Sequence, residues 1–164
     1  MEYRYLGHSG LQVSPLTLGT MTFGGEDRFS KLGNIGVKEA REIIALCVDH
    51  GINLIDTANI YSFGKSEEII GEALKGKRPG NILISSKARM QVGEGPNEGG
   101  FSRYHIVNAC EKSLKRLQTD VIDIYYIHEW DGTTPMEEML EALTQLVNQG
   151  KVRYIGCSNF SGWH

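Results

Sequence analysis

The sequence predicts a (β/α)8 barrel of TIM type, present as the first four and a half βα units behind an N-terminal β-hairpin. Three observations lead there. Short apolar strands alternate with amphipathic helices, the strands beginning near residues 16, 52, 81, 121 and 152, and such alternation builds a parallel sheet with right-handed crossovers. A doubly wound nucleotide domain should carry G-x-G-x-x-G after its first strand, but here that strand runs into "GTMTFGGED", and no G-x-x-x-x-G-K-[ST] is present. A whole barrel needs about 250 residues, against 164 here. Residues 1–164 are expected to form one domain, the N-terminal portion of a barrel.

Element by element, "YRYLGHSGLQVS" alternates around a turn at His8-Ser9-Gly10 and reads as a hairpin. Leu16–Thr20 is a short first strand, followed by a Gly-rich loop from Met21 to Gly36. Val37–His50 reads as a helix whose Ala40, Ile43, Ile44, Cys47 and Val48 share one face, closed by Gly51. Ile52–Asp56 is the second strand. Ser66 suits the N-cap of the next helix, with Glu67 and Glu68 in its first turn, and that helix stops near Gly76. Asn81–Ser86 is the third strand, followed by a loop from Ala88 to Phe101 holding four glycines and one proline. The helix from Ser102 to Leu117 should bury Ile106, Cys110, Leu114 and Leu117. Val121–Ile127 is the fourth strand. Thr134-Pro135-Met136-Glu137 reads as a capping box opening a helix that buries Met139, Leu140, Leu143, Leu146 and Val147. Val152–Gly156 is the fifth strand.

Composition narrows the function classes. The chain is 40% apolar and 23% charged, an ordinary globular balance, and its net charge of −3 with scattered basic residues points to neither nucleic acid nor an anionic membrane. No apolar run approaches the ~20 residues of a membrane span. The N-terminus has no apolar core with a small-residue cleavage site, so no signal peptide is expected. Cys47, Cys110 and Cys157 are odd in number and widely spaced, which favours a reducing cytoplasm over disulfides or a zinc site.

In such a barrel the chemistry sits at the C-terminal ends of the strands. Strand two ends in Asp56, with Tyr61 in the following loop. Strand three ends at Lys87, strand four at His128, and Ser158 and Asn159 follow strand five. Each has a plain reading: a turn cap, surface packing, a solvated charge, a core histidine. Together at equivalent strand ends, they describe a proton donor. Free tyrosine, with a pKa near ~10, gives up its proton poorly at neutral pH. An ammonium at Lys87, held by Asp56, would lower that value, and His128 would hydrogen-bond a substrate oxygen. Such a site polarises a carbonyl and protonates the oxyanion formed as hydride arrives, and the hydride must come from a cofactor. No metal site is expected: His128-Glu129 lacks a second histidine at helical spacing. Phe23 and Trp130 lie in rim loops, either walling an apolar pocket or covering the barrel. Cys157 reads as small core filler.

With these motifs in hand, the chain resembles the aldo-keto reductase superfamily over essentially its whole length. The resemblance is carried by "LGHSGLQVSPLTLGTMTFG", "INLIDTANIYSFGKSEEIIGEAL", "ISSK", "IDIYYIH" and "VRYIGCSNF", in order and at the family's spacing. It implies the tetrad Asp56, Tyr61, Lys87 and His128, with Tyr61 as general acid. It implies that Ser158 and Asn159 hold the carboxamide of NADPH, and that Gly19, Thr20 and Met21 lie near cofactor or substrate. The family's later strands carry a glutamine, a stacking aromatic ring and the basic residues for the adenosine 2′-phosphate, and this sequence holds none of them.

The leading expectation is therefore a cytoplasmic NADPH-dependent reductase of small-molecule aldehydes or ketones. Two others stand beside it: a nicotinamide-cofactor-binding regulatory or sensor subunit, and a Schiff-base lyase using Lys87. Open edges at the first and fifth strands would favour self-association, and inward Leu54, Leu83 and Ile124 would meet water.

Overall fold

A computed structural model describes residues 1–25, 29–76 and 78–163; within the loop read from Met21 to Gly36, residues 26–28 lie outside the described set. Strands β1 (Arg4–Tyr5) and β2 (Gln12–Val13) form an antiparallel hairpin. A five-stranded parallel sheet follows, made of β3 (Leu18–Gly19), β4 (Leu54–Asp56), β5 (Leu83–Ala88), β6 (Ile122–Ile127) and β7 (Val152–Cys157), with strand order the same as chain order. Helices α1 (Val37–Asp49), α2 (Lys65–Leu74), α3 (Arg103–Leu117) and α4 (Met136–Asn148) make the crossovers, each packing on the next. Right-handed crossovers between sequential neighbours put every helix on one side of the sheet. That is part of a singly wound barrel, not a doubly wound sheet.

The main core lies between helices and sheet. Ala40 and Ile44 from α1, Ile69 and Ile70 from α2, Ile106 and Cys110 from α3, and Leu143 and Leu146 from α4 meet Ile55, Ile84 and Tyr125. On α4 the buried stripe is Met139, Ala142, Leu143 and Leu146, while Leu140 and Val147 are 43% and 37% exposed. The stripe is thus rotated toward Ala142, whose small side chain lets the helix sit close on the sheet.

The opposite, inward face is not bare at its lower end. Leu6, Leu11 and Val13 of the hairpin pack on Leu54, Leu83 and Ile124, leaving Leu54 and Ile124 only 6% and 1% exposed. The expectation that these side chains meet water fails because the hairpin plugs the N-terminal end of the strands. Asn53 fastens the plug: its Oδ1 accepts from Ser14 N (2.8 Å), and its Nδ2 donates to the Gln12 carbonyl (3.1 Å).

Ser102 caps α3 by accepting from His105 N at 3.2 Å, although the sequence predicts side-chain caps only at Ser66 and at the Thr134 box. Ser66 does not; α2 begins one residue earlier behind Gly64, and the Ser66 hydroxyl donates instead to Thr20 O at 2.9 Å. The box at Thr134 is likewise absent, because its hydroxyl donates to Asp131 Oδ2 (2.6 Å) and leaves α4 with no side-chain cap. In both cases the hydroxyl takes a different acceptor, one far along the chain for Ser66 and one three residues back for Thr134. Among the described residues, no helix is long and apolar enough to cross a membrane.

Candidate active site

Parallel register decides which side chains share the inward face. Asp56 on β4 pairs with Ser85 on β5, Ser85 with Ile124 on β6, and Lys87 with Tyr126. Side chains alternate along a strand, so Ser85 and Lys87, two residues apart, point the same way. Lys87 lies inside β5 rather than at its end. Its stem is covered, leaving the residue 6% exposed.

The lysine ammonium has three partners. It donates to Asp56 Oδ2 at 2.6 Å, to the Thr57 carbonyl at 2.8 Å and to the Tyr61 hydroxyl at 3.4 Å. The other Asp56 oxygen, Oδ1, accepts from Ser85 Oγ at 2.5 Å. His128 follows β6 directly, its backbone N–H donating to the Ala88 carbonyl, and its ring stands edge-on to Tyr61 with centroids 6.0 Å apart. Burial, and then the nearby Lys87 ammonium, hold the imidazole below the ordinary histidine value. A neutral ring can offer or take one hydrogen bond at each nitrogen, and His128 Nδ1 has no partner among the described residues. The structure thus brings Asp56, Tyr61, Lys87 and His128 together.

Tyr61 is held by an unusual backbone. Ser62 (φ +46°), Phe63 (φ +52°) and Gly64 (φ +95°) are all left-handed, reversing the chain between Tyr61 and α2. Two non-glycine residues in that region store strain, of order 1 kcal/mol or more each. Ser62 offsets it by donating from its hydroxyl to Phe23 O (3.2 Å) and accepting from Gly25 N (2.9 Å). Phe29 then lays its ring against Tyr61, at 6.5 Å between centroids.

The remaining expected residues divide. Ser158 and Asn159 stand at the end of β7 beside His128, where the Asn159 amide donates to the His128 carbonyl and to Ser158 Oγ, both at 2.9 Å. Trp130 is a half-buried rim residue packed edge-on to Phe160 at 5.5 Å. Gly19 and Met21 are exposed. Thr20 is fully buried, its hydroxyl donating to the Asp56 carbonyl at 3.0 Å, so it braces the strand end rather than opening onto a pocket. Phe23 is 1% exposed within the main core, bridged to Ile35, and is not a pocket wall. The aromatic ring against Tyr61 is instead Phe29, which the alternation pattern could not single out inside a Gly-rich loop.

Sequence reasoning also missed the polar layer behind the sheet. Glu67, completely buried on α2, accepts from Ser86 Oγ at 2.5 Å and from Arg116 Nε at 2.7 Å. Asp123, equally buried on β6, accepts from Ile84 N (2.8 Å), Arg78 (2.5 Å) and Arg153. The signal was present: an acidic residue inside "VIDIYYI" cannot be buried without donors.

The chain is similar to known proteins over nearly its whole length. The chain is 42% identical to a probable voltage-gated potassium channel subunit beta of Arabidopsis thaliana, over 98% of its own length and 47% of that protein's. It is 41% identical to the aldo-keto reductase YhdN of Bacillus subtilis, covering 98% of this chain and 48% of that one. It superposes on the holo form of the aldo-keto reductase AKR11C1 from Bacillus halodurans with a TM-score of 0.80 and 36% identity, covering 98% of this chain and 51% of that structure. The chain thus spans about half the length of the relatives it matches. Its residues 15–164 match the model of the aldo/keto reductase family, and to that family the chain belongs.

Proposed function

We propose that this chain supplies the proton-donating site of an NADPH-dependent reductase that converts aldehyde or ketone carbonyls to alcohols. One observation carries the reading: Lys87 Nζ sits between Asp56 Oδ2 (2.6 Å) and the Tyr61 hydroxyl (3.4 Å) on the inward rim of the sheet. Tyr61 is the general acid. The ammonium stabilises negative charge on the phenol oxygen as its proton leaves, and Asp56 holds the ammonium in place. His128, kept neutral by burial and by Lys87, orients the carbonyl oxygen that receives the proton. The nicotinamide supplies the hydride, which no side chain can.

The residues present suit a nicotinamide group. Ser158 and Asn159 offer hydroxyl and amide chemistry beside His128. NADPH rather than NADH rests on the family resemblance. Phe29, Met90 and Val92 form an apolar shelf beside Tyr61, and Trp130 with Phe160 forms a second aromatic surface at the rim.

Tyr61→Phe tests the assignment. The variant should lose about 10²–10⁴-fold in turnover with a panel of aldehydes and ketones while NADPH fluorescence titration is nearly unchanged. Turnover close to that of the parent protein would refute it.

A second reading has specific support. Two relatives, at 42% and 40% identity, are named as probable potassium channel beta subunits. A cofactor-binding regulatory subunit would bind NADPH with no carbonyl turnover, so the same two measurements separate the readings. A Schiff-base lyase is not favoured, since it needs a free amine, whereas the Lys87 ammonium holds three oxygens.

A further inference from the structure

We infer that Ser85 is a positioning residue for the proposed proton-donating site, acting through Asp56 on Lys87 and so on Tyr61; the inference rests on the function proposed above. Asp56 is the pivot of the group, yet its side chain is 28% exposed and β4 ends at it. Nothing in β4 itself stops the carboxylate from turning. It is held from the neighbouring strand. Ser85 and Lys87 lie on the same face of β5, about 6.6 Å apart along the strand, and Asp56 is the register partner of Ser85. The carboxylate spans that gap, one oxygen on the serine hydroxyl at 2.5 Å and the other on the lysine ammonium at 2.6 Å. Two anchors two residues apart fix the plane of the carboxylate, where one would leave it free to rotate.

The chemistry of the serine fits the task. Its residue is completely buried, so no water substitutes for its hydroxyl without rearrangement. The hydroxyl oxygen is also 3.5 Å from the Ile55 carbonyl, a weak second acceptor. The short bond to a carboxylate is the charge-assisted kind, and therefore the one the proton prefers. Removing it frees Oδ1 to swing toward solvent. Lys87 then keeps only the Thr57 carbonyl and Tyr61 as firm partners, and its ammonium is no longer fixed relative to the phenol. Ser86, the next residue, is no substitute: it faces the other side and donates to Glu67.

The test uses Ser85→Ala and Ser85→Thr in the protein as it occurs. Native-state reductive methylation with formaldehyde and cyanoborohydride, read peptide by peptide in a mass spectrometer, reports how firmly each lysine is held. Ser85→Ala should label Lys87 about tenfold faster, the loss expected for one hydrogen bond to a charged group. Lys151, paired with Glu111 away from the site, should not change. Ser85→Thr, which keeps the hydroxyl, should restore the slow rate at Lys87. In turnover, Ser85→Ala should lower kcat and spare the KM for the carbonyl, again with rescue by threonine. Labelling of Lys87 unchanged in Ser85→Ala, or raised equally at Lys151, overturns the inference. So does an equal change in kcat and KM. If the parent protein turns over no carbonyl, the proposed function falls and the labelling alone decides whether Ser85 holds the Asp56–Lys87 pair.

Discussion

Lys87 Nζ lies 2.6 Å from Asp56 Oδ2, and the two residues come from adjacent parallel strands separated by a whole crossover helix. Only the closed β4–α2–β5 unit brings them together. Charges this sparsely solvated are costly unless paired. Lys87→Met should therefore abolish most turnover while leaving the fold intact, because the remaining carboxylate keeps Ser85 and some solvent. Asp56→Asn should be worse for stability, by up to about 3 kcal/mol, since it strands a buried ammonium. Urea denaturation alongside steady-state kinetics separates the two effects, and a Lys87→Met protein with normal turnover would remove the lysine from the site.

Behind the same strand, Glu67 and Arg116 make a second ion pair whose acid is fully buried and whose base is 22% exposed. Glu67→Leu should cost about 3 kcal/mol, at the lower end for a broken buried pair because Arg116 can reach water. Adding Arg116→Met should recover much of that loss, since two apolar residues leave no charge stranded. A double mutant as unstable as the sum of the two single mutants would show that the pair is not a unit.

Gly64 is where Tyr61's loop turns into α2. Its φ is +95°, and a Cβ there would lie 2.7 Å from Arg116 Cδ. That arginine is tied to Glu67 and cannot simply move aside. Gly64→Ala should thus lose about 2 kcal/mol, from the left-handed backbone plus the crowding. The thermal midpoint should fall by about 4–8 °C. An unchanged midpoint would show that the turn relaxes freely.

Histidine protonation sets an acid limit. Burial first, and then Lys87, keep His128 below the ordinary value of 6.5, with Asp56 and Glu129 opposing and Arg89 assisting. His105 is depressed too, chiefly by burial. A neutral folded histidine and a protonatable unfolded one mean that the unfolded state binds more protons as pH falls. The stability these residues contribute is complete above the unfolded value and is lost progressively as pH drops through it toward the folded values. Urea midpoints should decline below pH 6.5, and less so in His105→Gln. A flat profile between pH 7 and pH 5 would contradict the burial argument.

Much of this architecture was legible because period and position are local properties. Alternating strands and helices specify the sheet order, and strand ends specify where Asp56, Tyr61 and His128 collect. What stayed hidden depends on which of several partners a side chain meets once the chain is folded. Ser66 looks like an N-cap until Thr20 is seen beside it, and Thr134 until Asp131 is. Phe23 and Phe29 occupy the same Gly-rich loop, with nothing in spacing to say which enters the core and which covers Tyr61. The role of the hairpin as a plug also needed three dimensions, since Val13 meets Ile124 only after the sheet curls.

The three cysteines should differ sharply in reactivity. Cys110 is fully buried on α3, and its thiol is pushed up to about 12, first by burial and then by Glu111. At pH 8 that leaves about one molecule in 10⁴ as the thiolate that attacks a disulfide reagent. Cys47 is half-buried and raised by burial, while Cys157 is exposed at the end of β7. With a chromogenic aryl disulfide, Cys157 should react first, Cys47 more slowly, and Cys110 only as the chain unfolds. The alkaline sign follows from the same shift. A folded thiol that resists ionisation stabilises the fold fully below the unfolded value of 9.0, and that contribution is lost as pH rises toward 12. Counting released chromophore with and without urea checks the order. Three thiols reacting together under native conditions would mean that the α3–sheet interface around Cys110 opens far more readily than its packing implies.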